Sequence, residues 1–446
     1  MEILTVLGGG SAYTPGLLQA LIAHAAELPL KTVRLYDTDA GRLATVARLG
    51  AAMARSAGAF TVEAADSLED AIRGTDLVLN STRPGGLAAR RIDETLPLEF
   101  AIPGQETVGP GGFFFALRSV PEALRVAATV QALAPRAVIL NYTNPSNIVT
   151  QALVDRGGVN VIGMCDQSDE DLQALGHALG REGRYGFDCN GLNHATWYSD
   201  IVIGGAPLGE MPAPLGELPA SLVAPDGFDE EHRLRFGYSL ELARENPGYW
   251  PNSYLPYYLF PDAFVAQARR AGPRSDVVAA SLDRFYAHFE AEGQRATPEL
   301  RWYRGSAGFG DLAVTVIRAL ASPTPHELVL NLPNHGASTA FAADTVIETR
   351  VRVSRAGIER MAAPALPASF DALAAQLERY QRLTARAAAG GDTAARIAAL
   401  AANPLVGDGL AGDRLGRDGI GGDAPIAARM LARARESYGA LLPAST

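Results

Sequence analysis

Cys165 and His194 are the residues of this sequence whose types and surroundings best suit a bound divalent cation. Cys165 and Asp166 follow the apolar run Val159–Met164, and His194 closes the Gly-Leu-Asn-His sequence that begins at Gly191. A thiolate and an imidazole presented together suit a borderline-soft divalent cation. The alternative is a buried structural cysteine and an unrelated histidine, and the pair alone does not decide between the two interpretations.

A glycine-rich turn near the start of the chain predicts a dinucleotide site. The apolar run Glu2–Leu7 is followed by Gly8, Gly9, Gly10, Ser11, Ala12 and Tyr13, and then by leucines at helical spacing. A strand, a glycine turn and a helix allow backbone N–H groups and a helix N-terminus to face a pyrophosphate. Ala12 and Tyr13 stand where the usual fingerprint has its last glycine, so the turn alone does not exclude a plain tight turn.

Asp37 strengthens the nucleotide interpretation. It directly follows the second predicted strand, Thr32–Tyr36. An acidic residue at this place binds the ribose hydroxyls and repels a 2′-phosphate. The sequence therefore favours NAD over NADP.

The alternation of apolar runs and helical stretches predicts an α/β fold with a Rossmann-like, doubly wound parallel sheet. Ligands of such sheets lie outside the carboxyl ends of the strands. The polar residues that follow predicted strands are Asn80, which we assign to the cofactor, Asn141 with Asn144, and Cys165 with Asp166.

After His194 the pattern changes to short strands mixed with helices. We predict an NAD-binding domain over residues 1–193. A C-terminal α+β domain over residues 194–446 would serve substrate and metal binding and oligomerisation. A helix is predicted over Val120–Leu133, and residues 389–424, rich in Gly, Ala and Asp, are predicted to form a flexible surface segment.

Composition excludes several classes of function. The chain has 446 residues, a net charge of −10 and two cysteines. The negative charge argues against nucleic acid as a partner, and two cysteines do not make a disulfide framework. No signal peptide and no apolar run of membrane-spanning length are visible, so we expect a cytoplasmic protein without a membrane partner.

The chain resembles the family 4 glycoside hydrolases, which depend on NAD and a metal ion. The motifs that carry this resemblance follow the family's order and read GGGSAYTP, LYD, TRPGGLAAR, IPGQETVGPGGF, NYTNPSN, GMCD, GLNH and SYLPYY, with weaker matches in YRGSAGFGD and NLPNHGA. The resemblance implies oxidation of the sugar at C3, removal of the C2 proton, elimination of the aglycone, addition of water and return of the hydride.

The resemblance also implies roles for individual residues. Cys165 and His194 would hold Mn²⁺ or another divalent cation, and Tyr254 would be the base, with Tyr257 and Tyr258 less favoured. Glu106 matches the residue that assists the tyrosine, although it could instead be a helix-capping or ion-paired acid. Asp166 matches a general acid of the α-acting branch, and its alternative is a supporting contact to the metal ligands.

The substrate that the resemblance implies is an anionic glycoside, most simply a 6-phosphoglucoside. Its contacts would be Arg90, Asn144 and Arg274, and the weaker candidates are Arg83, Arg304, Asn331 and His335. The motifs favour a β-linked substrate slightly, and a 6-phospho-α-glucosidase or a glycosidase for non-phosphorylated sugars are the alternatives. Family membership also implies a homodimer or homotetramer.

The rival from another class is a lactate- or malate-type NAD-dependent dehydrogenase, which shares the nucleotide domain. Such an enzyme moves the hydroxyl proton with a histidine–aspartate pair and needs no metal. The Cys165 position and the tyrosine run have no role in that chemistry.

Overall fold

The first strand, Ile3–Leu7 (β1), lies inside a parallel sheet in the computed structural model, which describes residues 1–181, 183–208, 229–305, 308–406 and 423–444. The other parallel strands are Thr32–Tyr36 (β2), Thr61–Ala64 (β3), Leu77–Asn80 (β4), Val138–Asn141 (β5) and Asn160–Gly163 (β6). Their spatial order is β3-β2-β1-β4-β5-β6. This order places a topological switch point between β1 and β4, where doubly wound sheets bind their ligands. The predicted fold class is confirmed.

Antiparallel strands extend the same sheet beyond β6. They are Tyr185–Leu192 (β7), Ala195–Ile203 (β8), Ala206–Pro207 (β9), Trp250–Pro251 (β10), His326–Pro333 (β11), Val346–Ser354 (β12) and Gly357–Arg360 (β13). β11 joins β6, and β12, β7, β8 and β10 follow outward. The predicted boundary between residues 193 and 194 falls in the turn between β7 and β8, and the division into two domains stays a prediction.

Helices cover both faces of the sheet. Their ranges are Thr14–Ala23 (α1), Ala40–Ala57 (α2), Leu68–Ile72 (α3), Gly86–Thr95 (α4), Gly109–Leu133 (α5), Ser146–Arg156 (α6), Gln167–Ala178 (α7), Glu230–Glu245 (α8), Pro256–Leu259 (α9), Pro261–Ala271 (α10), Arg274–Gly293 (α11), Gly308–Ala321 (α12), Asp371–Ala388 (α13), Thr393–Ala401 (α14) and Ala424–Tyr438 (α15). None of the helices in the described part of the chain has the length and apolar character that crossing a membrane requires.

The sheet is buried on both sides because its strands alternate between two apolar cores. In β4, Leu77 and Leu79 pack in the core that includes α1, α2 and α12. Val78, between them, faces the core that includes α5, α6, α13 and α15. Continuous apolar runs of this kind are characteristic of parallel strands covered by helices on both faces.

The strand register brings the ends of six strands into one row. Leu7 lies beside Asn80, which lies beside Asn141 and then Gly163. The row continues through Asn331 on β11 to Glu348 on β12. Residues that follow these positions therefore meet above one edge of the sheet, although they are far apart in the sequence.

Two predictions about secondary structure are wrong. α5 begins at Gly109 rather than Val120, because Gly111 and Gly112 pack closely against backbone carbonyls and Phe113 is fully buried. The first three turns were missed because glycines and consecutive phenylalanines are not typical of a helix in the sequence.

Residues 389–406 do not form a flexible segment. They contain α14, whose first turn is capped by Asp392 through a hydrogen bond from the Ala395 N–H. Leu400, Leu405 and Val406 are buried in the core. Alanine-rich composition here marks close helix packing rather than disorder, and residues 407–422 lie outside the described part of the chain.

Candidate active site

A cleft of about 1280 Å³ opens above the carboxyl ends of the parallel strands. The predicted site residues that line it are Gly8, Gly10, Ser11, Tyr13, Asp37, Arg90, Glu106, Asn144, Cys165, Asp166, His194, Tyr254 and Arg274. The structure thus brings thirteen predicted residues to one cavity. Clefts at switch points are the usual binding sites of open α/β sheets.

The glycine turn forms one end of the cleft and is tied to the end of β2. The N–H groups of Gly8 and Gly9 both donate to the carbonyl oxygen of Tyr36, at 3.0 and 2.9 Å. The Gly10 N–H donates to Asp37 Oδ2 at 3.0 Å. A Cβ on Gly10 would lie 2.9 Å from the nitrogen of Leu43, so the turn must stay bare there. A bare backbone beside a carboxylate fits the ribose end of a dinucleotide.

Tyr286 and Arg42 complete this end of the cleft, and no motif in the sequence pointed to either residue. The Tyr286 hydroxyl donates to the Gly10 carbonyl oxygen at 2.7 Å, and the Arg42 guanidinium lies 5.2 Å from the centre of the tyrosine ring. Tyr286 belongs to α11, so a residue far along the chain secures the glycine turn.

Three predicted cofactor residues do not line the cleft. Asn80 is buried, and its amide group donates to Asn141 Oδ1 at 3.1 Å and accepts from Thr82 Oγ1 at 3.0 Å. Gly9 packs against Leu35 of β2, where a Cβ would approach the leucine Cβ to 2.8 Å. The Ala12 carbonyl oxygen accepts from the Arg304 N–H at 3.2 Å. These residues support the walls of the cleft from behind.

Cys165 and His194 meet at the middle of the cleft. Cys165 Sγ lies 3.6 Å from His194 Nε2. A thiolate sulfur and an imidazole nitrogen this close together could both bind one divalent ion. Among the described residues no group of three or more His, Cys, Asp or Glu side chains forms a metal site. The pair therefore fits a cation that takes its remaining ligands from the substrate or water.

The hydrogen bonds around His194 leave Nε2, the ring nitrogen that faces Cys165, available to a cation. Thr107 Oγ1 donates to Gln105 Oε1 at 2.8 Å and lies 3.3 Å from His194 Nδ1. With the hydroxyl proton directed to Gln105, Nδ1 carries the hydrogen and Nε2 presents its lone pair. Burial, together with the charge of Arg235, lowers the pKa of His194 to about 3, so the ring is neutral. Metal-binding histidines commonly have this second hydrogen bond.

Tyr254 lies between His194 and Arg235. Its ring stacks on His194 with 4.5 Å between the ring centres, and the Arg235 guanidinium lies 4.4 Å from the centre of the phenol ring. Burial raises the pKa of Tyr254 to about 12, although the charge of Arg235 acts in the opposite direction. Arg235 is itself buried and was missed in the sequence, because nothing in α8 distinguishes it from a surface arginine.

Glu106 is held by arginines. Arg83 forms a short contact to one carboxylate oxygen, and Arg90 Nη1 lies 3.0 Å from the other. Burial favours the neutral acid, but Arg83 and Arg90 outweigh it and lower the pKa of Glu106 to about 2. Arg304 lines the same wall, with its guanidinium 4.7 Å from the centre of the Tyr13 ring. Arg83 and Arg90 thus contact an ionised carboxylate, and the charge of Arg304 also acts to lower the pKa of Glu106.

The remaining predicted residues occupy different parts of the cleft. Asp166 stands at the N-terminal end of α7, next to Cys165, and is half-buried. Asn144 accepts the Ser146 N–H at 3.2 Å through Oδ1. Arg274 begins α11 at the open side, where its side chain is 45% exposed and lies 3.9 Å from carboxylate oxygens of Asp229 and Glu231.

Four less favoured candidates lie outside the chemical centre. The Tyr257 hydroxyl donates to Glu231 Oε1 at 2.7 Å, and Tyr258 is buried in the core. Asn331 donates to Glu348 beneath the cleft, and His335 does not line the cleft.

Known proteins with a similar sequence give the family. The model described as "Family 4 glycosyl hydrolase" matches residues 3–175, and that of the "Family 4 glycosyl hydrolase C-terminal domain" matches residues 189–406. The probable 6-phospho-beta-glucosidase of Bacillus subtilis (strain 168) is 29% identical over 420 residues, which cover 91% of this chain and 92% of that protein.

A second relative and a solved structure agree. The 6-phospho-alpha-glucosidase 1 of Lacticaseibacillus paracasei is 29% identical over 376 residues, covering 80% of this chain and 82% of that protein. The 6-phospho-beta glucosidase from Thermotoga maritima, solved with manganese, NAD⁺ and glucose-6-phosphate, has a TM-score of 0.83 at 22% identity over the whole of both chains. At this identity the structural likeness shows the fold.

The parallel sheet, its switch-point cleft and the residues gathered there define an α/β enzyme built on a dinucleotide-type fold. Since both sequence models match in the right order, the chain belongs to family 4 of the glycosyl hydrolases. The predicted family and the predicted enzyme class, a glycoside hydrolase, are confirmed.

Proposed function

We propose that the chain is an NAD⁺- and Mn²⁺-dependent 6-phosphoglucosidase that acts by oxidation and elimination. The observation that carries this proposal is that Cys165, His194 and Tyr254 stand together in the same cleft as the glycine turn and Asp37. A hydrolase that uses two carboxylates does not need two metal-binding side chains, a stacked tyrosine and a nucleotide-binding turn in one cavity. The names of the Bacillus and Lacticaseibacillus relatives support a 6-phosphoglucoside as the substrate.

Bound NAD⁺ would supply the hydride-transfer chemistry at C3, and a bound divalent cation would supply Lewis-acid chemistry to the sugar oxygens. The Gly10 and Asp37 end of the cleft would hold the nucleotide, and Cys165 with His194 would hold the cation. Tyr254 would then remove the C2 proton, which allows the bond from C1 to the aglycone oxygen to break.

Arg235 makes a phenol usable as that base. The pKa of Tyr254 is raised to about 12 by burial, so a neighbouring positive charge is needed to stabilise the phenolate. Arg235 faces the ring at 4.4 Å, and its Nε has no hydrogen-bond partner among the described residues. Glu106 assists through its negative charge, which acts on His194 and favours cations in the cleft.

The arginine wall provides the site for the 6-phosphate. Arg83 and Arg90 bind Glu106, Arg90 also pairs with Glu94 at 2.7 Å, and Arg304 lines the same wall. Three positive and two negative charges leave an excess of positive charge in a buried wall, which suits a phosphate dianion. Asn144 and Arg274 would complete the contacts to the sugar and its phosphate.

We propose a β-linked substrate as the first hypothesis, with an α-linked one as the alternative. The motifs that contain Arg83, Arg90 and Glu106 are of the β-acting type, whereas Asp166 beside the metal pair resembles the α-acting branch. Asp166 is near enough to the centre to protonate a poor leaving group, or it could instead support the metal ligands.

Release of p-nitrophenol tests the proposal. α- and β-linked p-nitrophenyl glucosides, each with and without a 6-phosphate, would be incubated with NAD⁺ and Mn²⁺ added or omitted under reducing conditions. We expect turnover only with both additions and only with phosphorylated sugar, faster for the β-anomer. Turnover that is indifferent to both additions would refute the redox mechanism, and NADH accumulation without p-nitrophenol would indicate a sugar dehydrogenase.

A deuterium experiment tests the elimination step itself. A substrate carrying deuterium at C2 should exchange it for a solvent proton during turnover, and Tyr254→Phe should abolish both exchange and aglycone release. Tyr249→Phe is the matched control, because its hydroxyl bonds the Ala365 carbonyl oxygen and it does not line the cleft. Complete retention of deuterium in the product would rule out the mechanism.

A further inference from the structure

A buried carboxyl group joins α7 and β8 to the segment that carries Tyr254. Asp171 on α7 is 5% exposed and does not line the cleft. Its Oδ1 accepts a hydrogen bond from Gln167 Nε2 at 2.8 Å. Its Oδ2 accepts from the Tyr198 hydroxyl at 3.0 Å and from the Ser253 N–H at 3.1 Å. One side chain thus connects two elements of the fold to the residue that directly precedes Tyr254.

The directions of these hydrogen bonds follow from the chemistry of the donors. A backbone N–H and an amide NH₂ group only donate. The Tyr198 hydroxyl accepts from Asn252 Nδ2 at 2.9 Å, which leaves its own proton for Asp171. Burial raises the pKa of Asp171, and a carboxyl group keeps acceptor oxygens in either protonation state. Asp171 therefore contributes two oxygen acceptors at fixed positions, whatever its charge.

Asn252 extends the network to the backbone of Tyr254. Its N–H donates to the Thr196 carbonyl oxygen at 2.8 Å, and its Oδ1 accepts the Tyr254 N–H at 3.0 Å. An asparagine that binds the N–H two residues further on stabilises a tight turn. Because Asn252 also donates to Tyr198, the tyrosine hydroxyl links Asp171 to the turn that presents Tyr254.

Ser253 connects the same network to the charge that faces Tyr254. Ser253 Oγ accepts from Arg235 Nη1 at 3.2 Å and from Gln167 Nε2 at 3.3 Å. The Arg235 guanidinium lies 4.4 Å from the centre of the Tyr254 ring. Ser253 thus binds Asp171 through its backbone and Arg235 through its side chain. A shift of Ser253 would therefore disturb both the phenol and the guanidinium beside it.

We propose that Asp171 is a positioning residue for removal of the C2 proton. Its carboxyl oxygens hold the segment 252–254 in place, which fixes the Tyr254 phenol against His194. The inference rests on the proposed function, because it takes Tyr254 as the base. A misplacement of about 1 Å between reacting groups can lower a rate about 100-fold, even when the altered residue lies away from the chemistry.

Steady-state kinetics of the full chain, with NAD⁺ and Mn²⁺ present, tests this role. The substrate is the p-nitrophenyl 6-phosphoglucoside of the anomer that the parent turns over. We expect Asp171→Ala to lower kcat about 10- to 100-fold, with exchange of deuterium at C2 slowed in parallel. KM and the dissociation constant for NAD⁺ should stay close to the parent values, because Asp171 does not line the cleft.

Gln381→Ala is the matched control for the loss of a buried hydrogen-bonding side chain. Gln381 is fully buried and does not line the cleft. It makes hydrogen bonds with Asn147, Gln151 and the Val346 carbonyl oxygen. The variant should be less stable than the parent, but the kcat of its folded fraction should be unchanged. A decrease in kcat as large as that of Asp171→Ala would overturn the positioning role.

Asp171→Asn tests whether the oxygen acceptors are what matters. The new amide keeps one oxygen for the Ser253 and Tyr198 donors, and Gln167 can turn its own amide oxygen toward the new NH₂ group. This variant should therefore recover most of the kcat that Asp171→Ala loses. An Asp171→Asn variant as slow as Asp171→Ala overturns positioning by these hydrogen bonds.

Tyr198→Phe keeps the test decisive if Asp171→Ala does not fold. It retains the buried ring but removes the hydroxyl that links Asp171 to Asn252. We expect kcat to fall about two- to tenfold, the effect of one hydrogen bond, with KM unchanged. Parent-like kcat in folded Asp171→Ala, or in Tyr198→Phe where the alanine variant does not fold, overturns the role of Asp171. A rise in KM or a loss of NAD⁺ affinity that matches the fall in kcat would indicate a general disturbance of the cleft and also overturns it.

The outcomes distinguish this role from the proposed function. Turnover that depends on NAD⁺ and Mn²⁺, is lost in Tyr254→Phe and is unchanged in Asp171→Ala overturns the role of Asp171 alone. A parent that releases no aglycone, or a Tyr254→Phe variant as active as the parent, overturns the proposed base and the role of Asp171 together.

Discussion

Tyr254 shows how neighbouring groups set the chemistry of a single residue. A phenol buried against His194 would hold its proton at every physiological pH, and the pKa of about 12 reflects that burial. Arg235 opposes this effect of burial, because its positively charged guanidinium faces the ring and stabilises the phenolate. In the proposed mechanism, a cation bound beside His194 supplies the remaining stabilisation.

Removal of the Arg235 charge should change the pH dependence of the proposed reaction. Only ionised Tyr254 can accept a proton, so below its pKa the rate rises with pH. Arg235→Gln should raise that pKa further, which moves the rising limb of kcat to higher pH and lowers kcat at pH 7 by at least about tenfold, or about 1.4 kcal/mol. Arg233→Gln, exposed on the same helix, should leave the profile unchanged. Superimposable profiles for Arg235→Gln and the parent would contradict the assignment.

Asp37 should decide which nucleotide is preferred. Its carboxylate bonds the Gly10 N–H and faces the cleft, where a ribose 2′-hydroxyl is expected. Asp37→Arg should weaken NAD⁺ binding at least about tenfold, the effect of losing one charged hydrogen bond, and should favour NADP⁺. Fluorescence titration measures both affinities, and Asp66→Arg, at an exposed position after β3, is the control. Unchanged NAD⁺ affinity in Asp37→Arg would remove the nucleotide argument.

At the scale of elements, the loop between α4 and α5 depends on glycine. A Cβ on Gly104 would lie 1.7 Å from the Glu94 carbonyl oxygen, and one on Gly111 would lie 2.0 Å from the carbonyl oxygen of Gln105. These contacts press the loop onto α4, and the loop carries Glu106 and Thr107 into the cleft. The arginine wall and the His194 hydrogen bond therefore share one close-packed support.

Gly111→Ala should disturb that support. The added methyl group must displace the backbone next to Glu106, which we expect to cost about 1–3 kcal/mol of unfolding free energy and to raise KM for the phosphorylated substrate. Gly237→Ala is the matched control, because nothing lies within 4 Å of its Cβ and alanine stabilises an exposed helix interior by about 0.5–1 kcal/mol. Denaturant unfolding measures both free energies. A Gly111→Ala variant as stable as the parent would show that the loop backbone can move aside for the methyl group at no cost in stability.

At the scale of the whole molecule, one buried ion pair joins distant parts of the chain. Arg118 on α5 binds the Asp93 carboxylate of α4 with two hydrogen bonds, at 3.0 and 2.7 Å. The Tyr438 hydroxyl on α15 donates to the same carboxylate at 2.6 Å. The last described helix is thus fastened to the helices beneath the arginine wall. Whether the chain forms the predicted homodimer or homotetramer stays a prediction.

Loss of the Asp93 carboxylate should destabilise the whole fold. Asp93→Ala leaves Arg118 buried without its partner, which typically costs about 3–5 kcal/mol. Asp276→Ala breaks an ion pair with Arg91 in which both side chains are about half exposed, and it should cost at most about 1 kcal/mol. Thermal unfolding compares the two variants, and equal melting temperatures would mean that α15 is not held by this network.

The sequence by itself determined the elements whose signals are local. β2 was predicted to the residue, and the glycine turn, Asp37, Cys165 and His194 were found because each directly follows or precedes an apolar strand. Strand ends of a parallel sheet gather at one edge, so a linear pattern was enough to predict that these residues meet. The family motifs added Tyr254, Glu106 and the substrate arginines.

Only the tertiary structure decided which residues act on those groups. Arg235 and Tyr286 reach the site from helices far along the chain, and in the sequence they look no different from surface residues. Asn80, in contrast, has a strand-end position but is turned beneath the cleft by its bond to Asn141. Local patterns record which face of an element is buried, whereas long-range contacts depend on how distant elements pack.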